Sequence, residues 1–286
     1  MRFDKMHGCG NDYVYVNGAD CAELTREERS VLAVKLSDRH FGIGSDGLIF
    51  INPSKNYDFE MEMFNADGTR AEMCGNGIRC VAKYVYDHGM TDKEVFVVES
   101  MGVPHELQVT VQDGEVCAVK VDMGEPILEP VNIPVTSDKE RFVDELIRVK
   151  DKEFKVTCVS MGNPHAVLFD SPELVNEYGP DFECHAIFPK RTNTEFVEII
   201  DDENVRMRVY ERGTGETLAC GTGCSAVVVA CVLNGKTGRN INVHVLGGVV
   251  NVNWAEDDHV YMTGPATRVF TGEIETDNLL GTEGIR

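Results

Sequence analysis

Two cysteines stand at the head of glycine-rich turns, Cys74-Gly75-Asn76-Gly77 and Cys220-Gly221-Thr222-Gly223, 146 residues apart in a chain of 286. An apolar segment follows each, so each cysteine is predicted to open a helix. A helix start leaves backbone N–H groups unpaired and carries partial positive charge, and glycines let a ligand approach that backbone closely. Two such ends facing each other could share one carboxylate and set a sulfur on either side of its α-carbon. Removing a proton from one face and returning one to the other is the requirement for racemisation or epimerisation. One sulfur would act as thiolate and the other as thiol.

An ordinary thiol, with a pKa of ~8.5, is only about 3% ionised at pH 7. A helix start contributes roughly 0.3–1 kcal/mol, at most ~2, so the dipole supplies about one pKa unit and is not the whole mechanism. Preorganised N–H donors around the carboxylate that receives the carbanion's charge are the stronger source. Cys80, Cys224 and Cys231 lie further along the same helical segments and, with Cys117 and Cys158, read as core residues. No paired CxxC and no HExxH occurs, so no metal is expected; no GxxxxGK[ST] and no sign of a pyridoxal site is present, so no cofactor is expected either.

The elements that must hold these turns follow from the surrounding pattern. Met6–Asp12 is a glycine-bearing turn between β-prone segments, and Thr25-Arg26-Glu27-Glu28 fits a capping box opening a helix to about Arg39. Strands are predicted at 48–51 and 58–64, with a turn at Asn65-Ala66-Asp67-Gly68 before the first cysteine. The helix from Asn76 is expected to end near His88 with Gly89 beyond it, and that from Thr222 near Leu233 with Gly235 beyond it. Hairpins follow both, one turning at Asp113-Gly114 and one at Gly247-Gly248. Gly162-Asn163 resembles the Gly10-Asn11 turn, so each half pairs a Gly-Asn turn with a Cys-Gly helix, the mark of an internal repeat. Ser137 to about Ile147 is expected to form a surface helix.

Residues 226–233 are apolar on every face, and such a helix must be surrounded. The fold expected is therefore α+β, each half a small curved sheet wrapped round a central helix. The boundaries expected are 1–122 for the first lobe, with 267–286 returning to it, and 123–266 for the second. A formal net charge of −21 argues against nucleic acid or an anionic membrane surface as partner. No apolar h-region or membrane-length run is visible, and reduced thiols in the cytosol are expected.

With these residues in view, the chain closely resembles the diaminopimelate epimerase family. The matches are Met6-His7-Gly8 with Gly10-Asn11-Asp12, Phe64–Gly68, Cys74–Gly77 with Arg79-Cys80, Gly162-Asn163-Pro164-His165, and Glu211-Arg212-Gly213 through Ala219–Gly223, in order over nearly the whole chain. The resemblance implies a cofactor-independent enzyme that interconverts LL- and meso-2,6-diaminopimelate, an α+β fold of two pseudo-symmetric barrel-like lobes, and a homodimer. It implies that Cys74 and Cys220 are the acid and base, and that Gly75, Asn76, Gly221 and Thr222 form the backbone cage. Asn11, Asn65, Asn163, Asn193, Glu211 and Arg212 are implied substrate contacts, and His165 and Glu211 are implied to tune the thiols. A guanidinium takes a carboxylate bidentately, and the amides and an acceptor suit a substrate whose far end is itself an amino acid. Two positions depart from the family: Gly47 stands where many members have Gln, and Phe270 where many have Tyr in the subunit contact.

Two other readings fit parts of the pattern: a proline or hydroxyproline racemase of the same architecture, and a catalytically silent amino-acid-binding protein. Arg212 with Asn65, Asn163 and Asn193 argues against the first, because a proline-sized ligand does not need them. The second has no use for two thiols.

Overall fold

The computed structural model describes residues 1–71 and 74–281, and the chain divides into two compact units, Met1–Lys120 with Pro265–Arg286, and Val121–Gly264. The first contains β1 (Arg2–Gly8), β2 (Asn11–Asn17), α1 (Arg26–Ser37), β3 (Gly47–Pro53), β4 (Phe59–Asn65), β5 (Arg70–Ala71), α2 (Gly75–Asp87), β6 (Val95–Ser100) and β7 (Val103–Gln112), with β8 (Glu115–Asp122) at its border. β1 and β2 form a hairpin through Cys9 and Gly10, both at positive φ (52° and 84°). Left-handed backbone at both central residues matches the twist of the flanking strands. β2 then pairs parallel with β3, β3 antiparallel with β4, β4 parallel with β6 and β6 antiparallel with β7. Parallel neighbours need crossovers, and α1 and α2 lie in those two connections.

The second unit repeats this order. β9 (Glu145–Val149) is followed by β10 (Lys152–Ser160), β11 (Pro164–Leu168), α3 (Val175–Glu183), β12 (Asn193–Ile199), β13 (Asn204–Glu211), β14 (Gly215–Thr217), α4 (Gly221–Leu233), β15 (Asn240–Val245), β16 (Gly248–Trp254) and β17 (Val260–Gly264). β10 pairs antiparallel with β11, β11 parallel with β12, β12 antiparallel with β13, β13 parallel with β15 and β15 antiparallel with β16. β18 (Thr267–Glu273) lies antiparallel to β1, as β9 does to β10. The repeat is therefore one of hydrogen-bond pattern as well as of sequence.

The two cysteine-headed helices occupy equivalent crossovers. In α4 the valines 227–229 are fully buried. Valine disfavours a helix by at most about 0.7 kcal/mol relative to alanine, whereas burying its side chain contributes ~1.5–3 kcal/mol, so packing decides. α2 also buries two cations, Arg79 and Lys83; Lys83 is held by Asp87 at 2.7 Å and donates to Val116 O at 2.8 Å. Gly89 (φ 66°) and Gly235 (φ 61°) follow the helix ends in the left-handed conformation expected of them. Thr25 and Glu28 close a reciprocal capping box on α1.

The stretch from Ser137 to Ile147 is not a helix. It is irregular to Asp144, which has φ 55°, and β9 begins at Glu145. Leu146 is exposed while Ile147 and Val149 are buried, the two-residue period of a strand, and the ladder to β10 supplies its backbone partners. A helix absent from the sequence expectations lies instead at α3, where Val175, Tyr178 and Phe182 enter the core despite Pro180. Among the described residues no helix is long and apolar enough to cross a membrane.

Candidate active site

Cys74 is the N-cap of α2 and Cys220 the N-cap of α4. Each sulfur accepts from the backbone N–H three residues on, Gly77 N at 3.3 Å and Gly223 N at 3.4 Å. This is the geometry of a serine or aspartate cap with sulfur in place of oxygen. Gly75 and Asn76, and likewise Gly221 and Thr222, fall in the first helical turns, whose N–H groups have no intrahelical acceptor. Each cysteine is thus fixed at the positive end of a helix beside backbone donors suited to an anion.

Around Cys74 the remaining groups come from β1, β2, β4, α2 and the loop before β3. The thiol donates to Asn11 Oδ1 at 3.2 Å, and Asn11 Nδ2 donates to Asp46 Oδ2 at 2.7 Å. Asp46 also receives Asp12 N at 3.0 Å and Arg39 Nη2 at 2.8 Å, while Asp12 is paired with Lys5. Burial, and then the nearby Cys74 thiol, push the Tyr13 phenol well above its usual range. Arg79, fully buried, donates to Gly75 O at 3.0 Å and Asn76 Oδ1 at 2.9 Å and so braces the first turn of α2. A Cβ at Gly8 would stand 2.9 Å from both Arg79 Nη2 and Asn76 O, which accounts for glycine there. Asn65, at the end of β4 opposite Gly47, donates to Thr69 Oγ1 at 3.1 Å. The direction in which a Gly47 side chain would project is filled by Phe64 O, 2.1 Å from an ideal Cβ.

Around Cys220 the setting is more acidic. Burial raises its thiol well above the ordinary value, and the charges of Glu211 and Glu195 add to the effect; Thr222 Oγ1, 3.4 Å from Sγ, and the Gly223 N–H oppose it. Burial likewise raises Glu211, whose carboxylate accepts from the Thr217 hydroxyl. Asn163 Nδ2 donates to Thr222 Oγ1 at 3.3 Å. His165 is fully buried, with Nε2 2.9 Å from Asn163 Oδ1 and Nδ1 2.6 Å from Glu195 Oε1. Asn193 donates to Pro164 O at 2.8 Å and accepts from Arg212 N at 2.9 Å. The Arg212 side chain is exposed, with Nη1 donating to Lys190 O at 3.2 Å.

The second unit thus gathers Cys220 with Asn163, His165, Asn193, Glu211, Arg212, Gly221 and Thr222, and the first gathers Cys74 with Asn11, Gly75 and Asn76. Phe270 lies apart on β18, partly exposed and edge-on to Phe3. Glu195, Asp46, Arg79 and Tyr13 also lie around the two cysteines and were not among the site residues expected from the sequence. Asp46 stood in a glycine-serine loop where aspartate reads as a turn former. Glu195 lies next to Phe196 in β12, and a glutamate in a strand is ordinarily solvated.

The sequence profile of the family described as diaminopimelate epimerase matches residues 3–129 and 157–269. The chain belongs to that family. The diaminopimelate epimerase of Acetivibrio thermocellus is 59% identical over 283 residues, covering 98% of this chain and 100% of that one. The diaminopimelate epimerase of Methanococcus maripaludis strain C5 is 55% identical over 281 residues, covering 96% and 100%. The fold extends beyond the epimerase family. A hydroxyproline epimerase from Agrobacterium vitis superposes with a TM-score of 0.68 at 14% identity, covering 96% of this chain and 90% of that one. A PhzF-family phenazine biosynthesis protein from Bacillus anthracis gives 0.67 at 16%, covering 96% and 99%. At those identities the likeness is one of architecture.

Proposed function

We infer that the protein interconverts LL- and meso-2,6-diaminopimelate, moving the α-proton between the thiols Cys74 and Cys220 without a cofactor. The observation that carries this reading is a cysteine N-cap at the equivalent helix of both repeats, in a chain 59% identical to a diaminopimelate epimerase over nearly its full length. One sulfur, as thiolate, takes the proton from Cα, and the other, as thiol, delivers one from the opposite side. Charge flows from Cα into the reacting carboxylate, which the first-turn N–H groups of Gly75, Asn76, Gly221 and Thr222 receive. Burial opposes ionisation of Cys220, while the helix start and the Gly223 N–H favour it. Arg212, with Asn193 braced against its backbone, offers a guanidinium to the far carboxylate of the substrate, and Asn11, Asn65, Asn163 and Glu211 complete the polar contacts.

A cytoplasmic homodimer belongs to the same proposal, with Val269 and Phe270 exposed on β18 as the apolar surface for a second copy. Sedimentation of F270E against the native chain tests that part. The activity is tested by incubating the reduced protein with LL-diaminopimelate in deuterium oxide without pyridoxal phosphate. Incorporation of α-deuterium with formation of the meso isomer is expected; no exchange overturns the reading.

A further inference from the structure

The two repeats align without a gap from β3 to α2 and from β12 to α4. Gly47, Ile49, Asn65, Cys74 and Gly77 correspond to Asn193, Glu195, Glu211, Cys220 and Gly223 at a constant spacing, and on the preceding strands Tyr13 corresponds to His165. Beneath the first residues of the cysteine helix, the first unit therefore carries an isoleucine and a tyrosine. The second carries Glu195 and His165, both fully buried.

We propose that Glu195 is a positioning residue for Cys220: by holding His165, it sets the direction of a hydrogen-bond chain that ends with the Thr222 hydroxyl donating to Cys220 Sγ. The proposal rests on the acid-base role given to Cys220 above.

The direction follows from the atoms. Asn163 Oδ1 can only accept, so the His165 Nε2 that lies 2.9 Å from it carries a hydrogen. Asn163 Nδ2 donates to Thr222 Oγ1 at 3.3 Å, which leaves the hydroxyl's own proton available to Cys220 Sγ, 3.4 Å away, whenever the sulfur is a thiolate. At the other end, His165 Nδ1 and Glu195 Oε1 both bear lone pairs, and their 2.6 Å contact requires a proton between them. Without Glu195 the neutral ring is free to hold its one proton on Nδ1. Nε2 then becomes an acceptor, the Asn163 amide turns, and Thr222 must donate to the amide oxygen. The sulfur loses its hydroxyl donor.

Two further observations single out Glu195. A Cβ at Gly223 would lie 2.8 Å from Glu195 Oε1, so the last glycine of the Cys-Gly-Thr-Gly turn makes room for this carboxyl; at Gly77 the corresponding neighbour is Ile49 Cδ1 at 3.1 Å. Glu195 Oε2 is buried with no hydrogen-bond partner, a costly atom to keep in a position that packing alone fills with isoleucine in the other repeat. The titratable groups that face the pair are Glu211, Cys158 and Cys220. The charge of Glu195 raises Cys220, so removing charge alone would make the thiol more reactive; the chain predicts the reverse.

The test compares E195M, near in shape but unable to hydrogen-bond, with E195Q, whose amide can donate to His165 Nδ1 and keep the proton on Nε2. Iodoacetamide modification of Cys220 is followed by peptide mass spectrometry across pH, and the His165 ring nitrogens by nitrogen-15 NMR. A protonated Nε2 is expected in the native protein and in E195Q. In E195M the thiolate loses a donor, and modification at a given pH is expected to slow about tenfold or more, with most of that loss recovered in E195Q. Unprotonated Nε2 in the native protein, equal or faster modification in E195M, or E195Q as slow as E195M each overturns the proposal. If E195M does not fold, the native NMR signal and E195Q decide. None of these readouts needs turnover, so failure here is separable from failure of the epimerase assignment.

Discussion

Asp46 holds Asn11 by its amide nitrogen at 2.7 Å, and the amide oxygen left over is the acceptor of the Cys74 thiol at 3.2 Å. The orientation of the amide is therefore fixed by this carboxylate. D46A is expected to free the amide to turn its NH2 toward sulfur. Losing one charge-assisted hydrogen bond of ~1.5–3 kcal/mol behind a partly exposed group corresponds to about tenfold in kcat/KM. Steady-state kinetics with a parallel melting curve check this, and a fall in activity without a comparable fall in Tm is the expected pattern.

On the two-thiol proposal, replacing either sulfur removes one of two acid-base groups, each worth ~10²–10⁴ in rate. C74A and C220A are each expected to lose epimerisation in both directions by about that factor. Chiral chromatography of the product from each stereoisomer measures it, and full activity in either variant would remove the two-thiol mechanism.

The two cysteine-headed helices were the most legible part of the sequence. Gly89 and Gly235 marked where α2 and α4 end, and all-round apolarity marked α4 as central, because both signals are local. Ser137–Ile147 misled because its charged residues resemble an exposed helix face, whereas Phe142, Ile147 and Val149 are placed by contacts to β10 that no local pattern contains. The cysteines and their glycines were visible because they occur twice. Glu195 was not, because a glutamate in a strand reads as solvated unless the histidine that buries with it, 30 positions earlier, is already known to face it.

Buried thiols make the fold sensitive to alkali. Burial pushes Cys80 up to about 11 and Cys231 up to about 12, and raises Cys158 and Cys220 as well. An unfolded thiol ionises near ~8.5, so above that pH the unfolded chain releases protons that the folded chain keeps. The stability these groups contribute is complete below ~8.5 and is lost as pH rises toward the folded values, by up to ~1.4 kcal/mol per pH unit for each. Tm is expected to fall between about pH 8.5 and 10.5. C231A should lower Tm at neutral pH through its cavity yet flatten that alkaline slope.

Glu211 opposes the ionisation of Cys220, whereas the Cys220 thiol, by hydrogen bonding, favours that of Glu211. The carboxylate raises the thiol, and burial raises the carboxyl itself. E211Q keeps an acceptor for the Thr217 hydroxyl and removes the charge. The Cys220 alkylation profile is then expected to move to lower pH, with the largest difference on the alkaline side, where Glu211 is ionised in the native protein. An unmoved profile would mean that the charge does not reach the sulfur.

Gly77 and Gly223 occupy the same position in the two repeats but have different neighbours. Alanine in a helix interior gains about 0.5–1 kcal/mol over glycine where there is room. At Gly77 the new methyl meets Ile49 Cδ1 at 3.1 Å, the end of a flexible side chain that can rotate away. At Gly223 it meets Glu195 Oε1 at 2.8 Å, an atom already tied to His165, and stands 3.2 Å from Cys220 Cβ. G77A is therefore expected to melt at or above the native temperature. G223A is expected to melt lower, by about 1–3 kcal/mol of overpacking, because the carboxyl can move only by releasing the histidine. Calorimetry of the two variants side by side makes the comparison, and equal melting temperatures would mean that Glu195 is free to move where the hydrogen bonds say it is held.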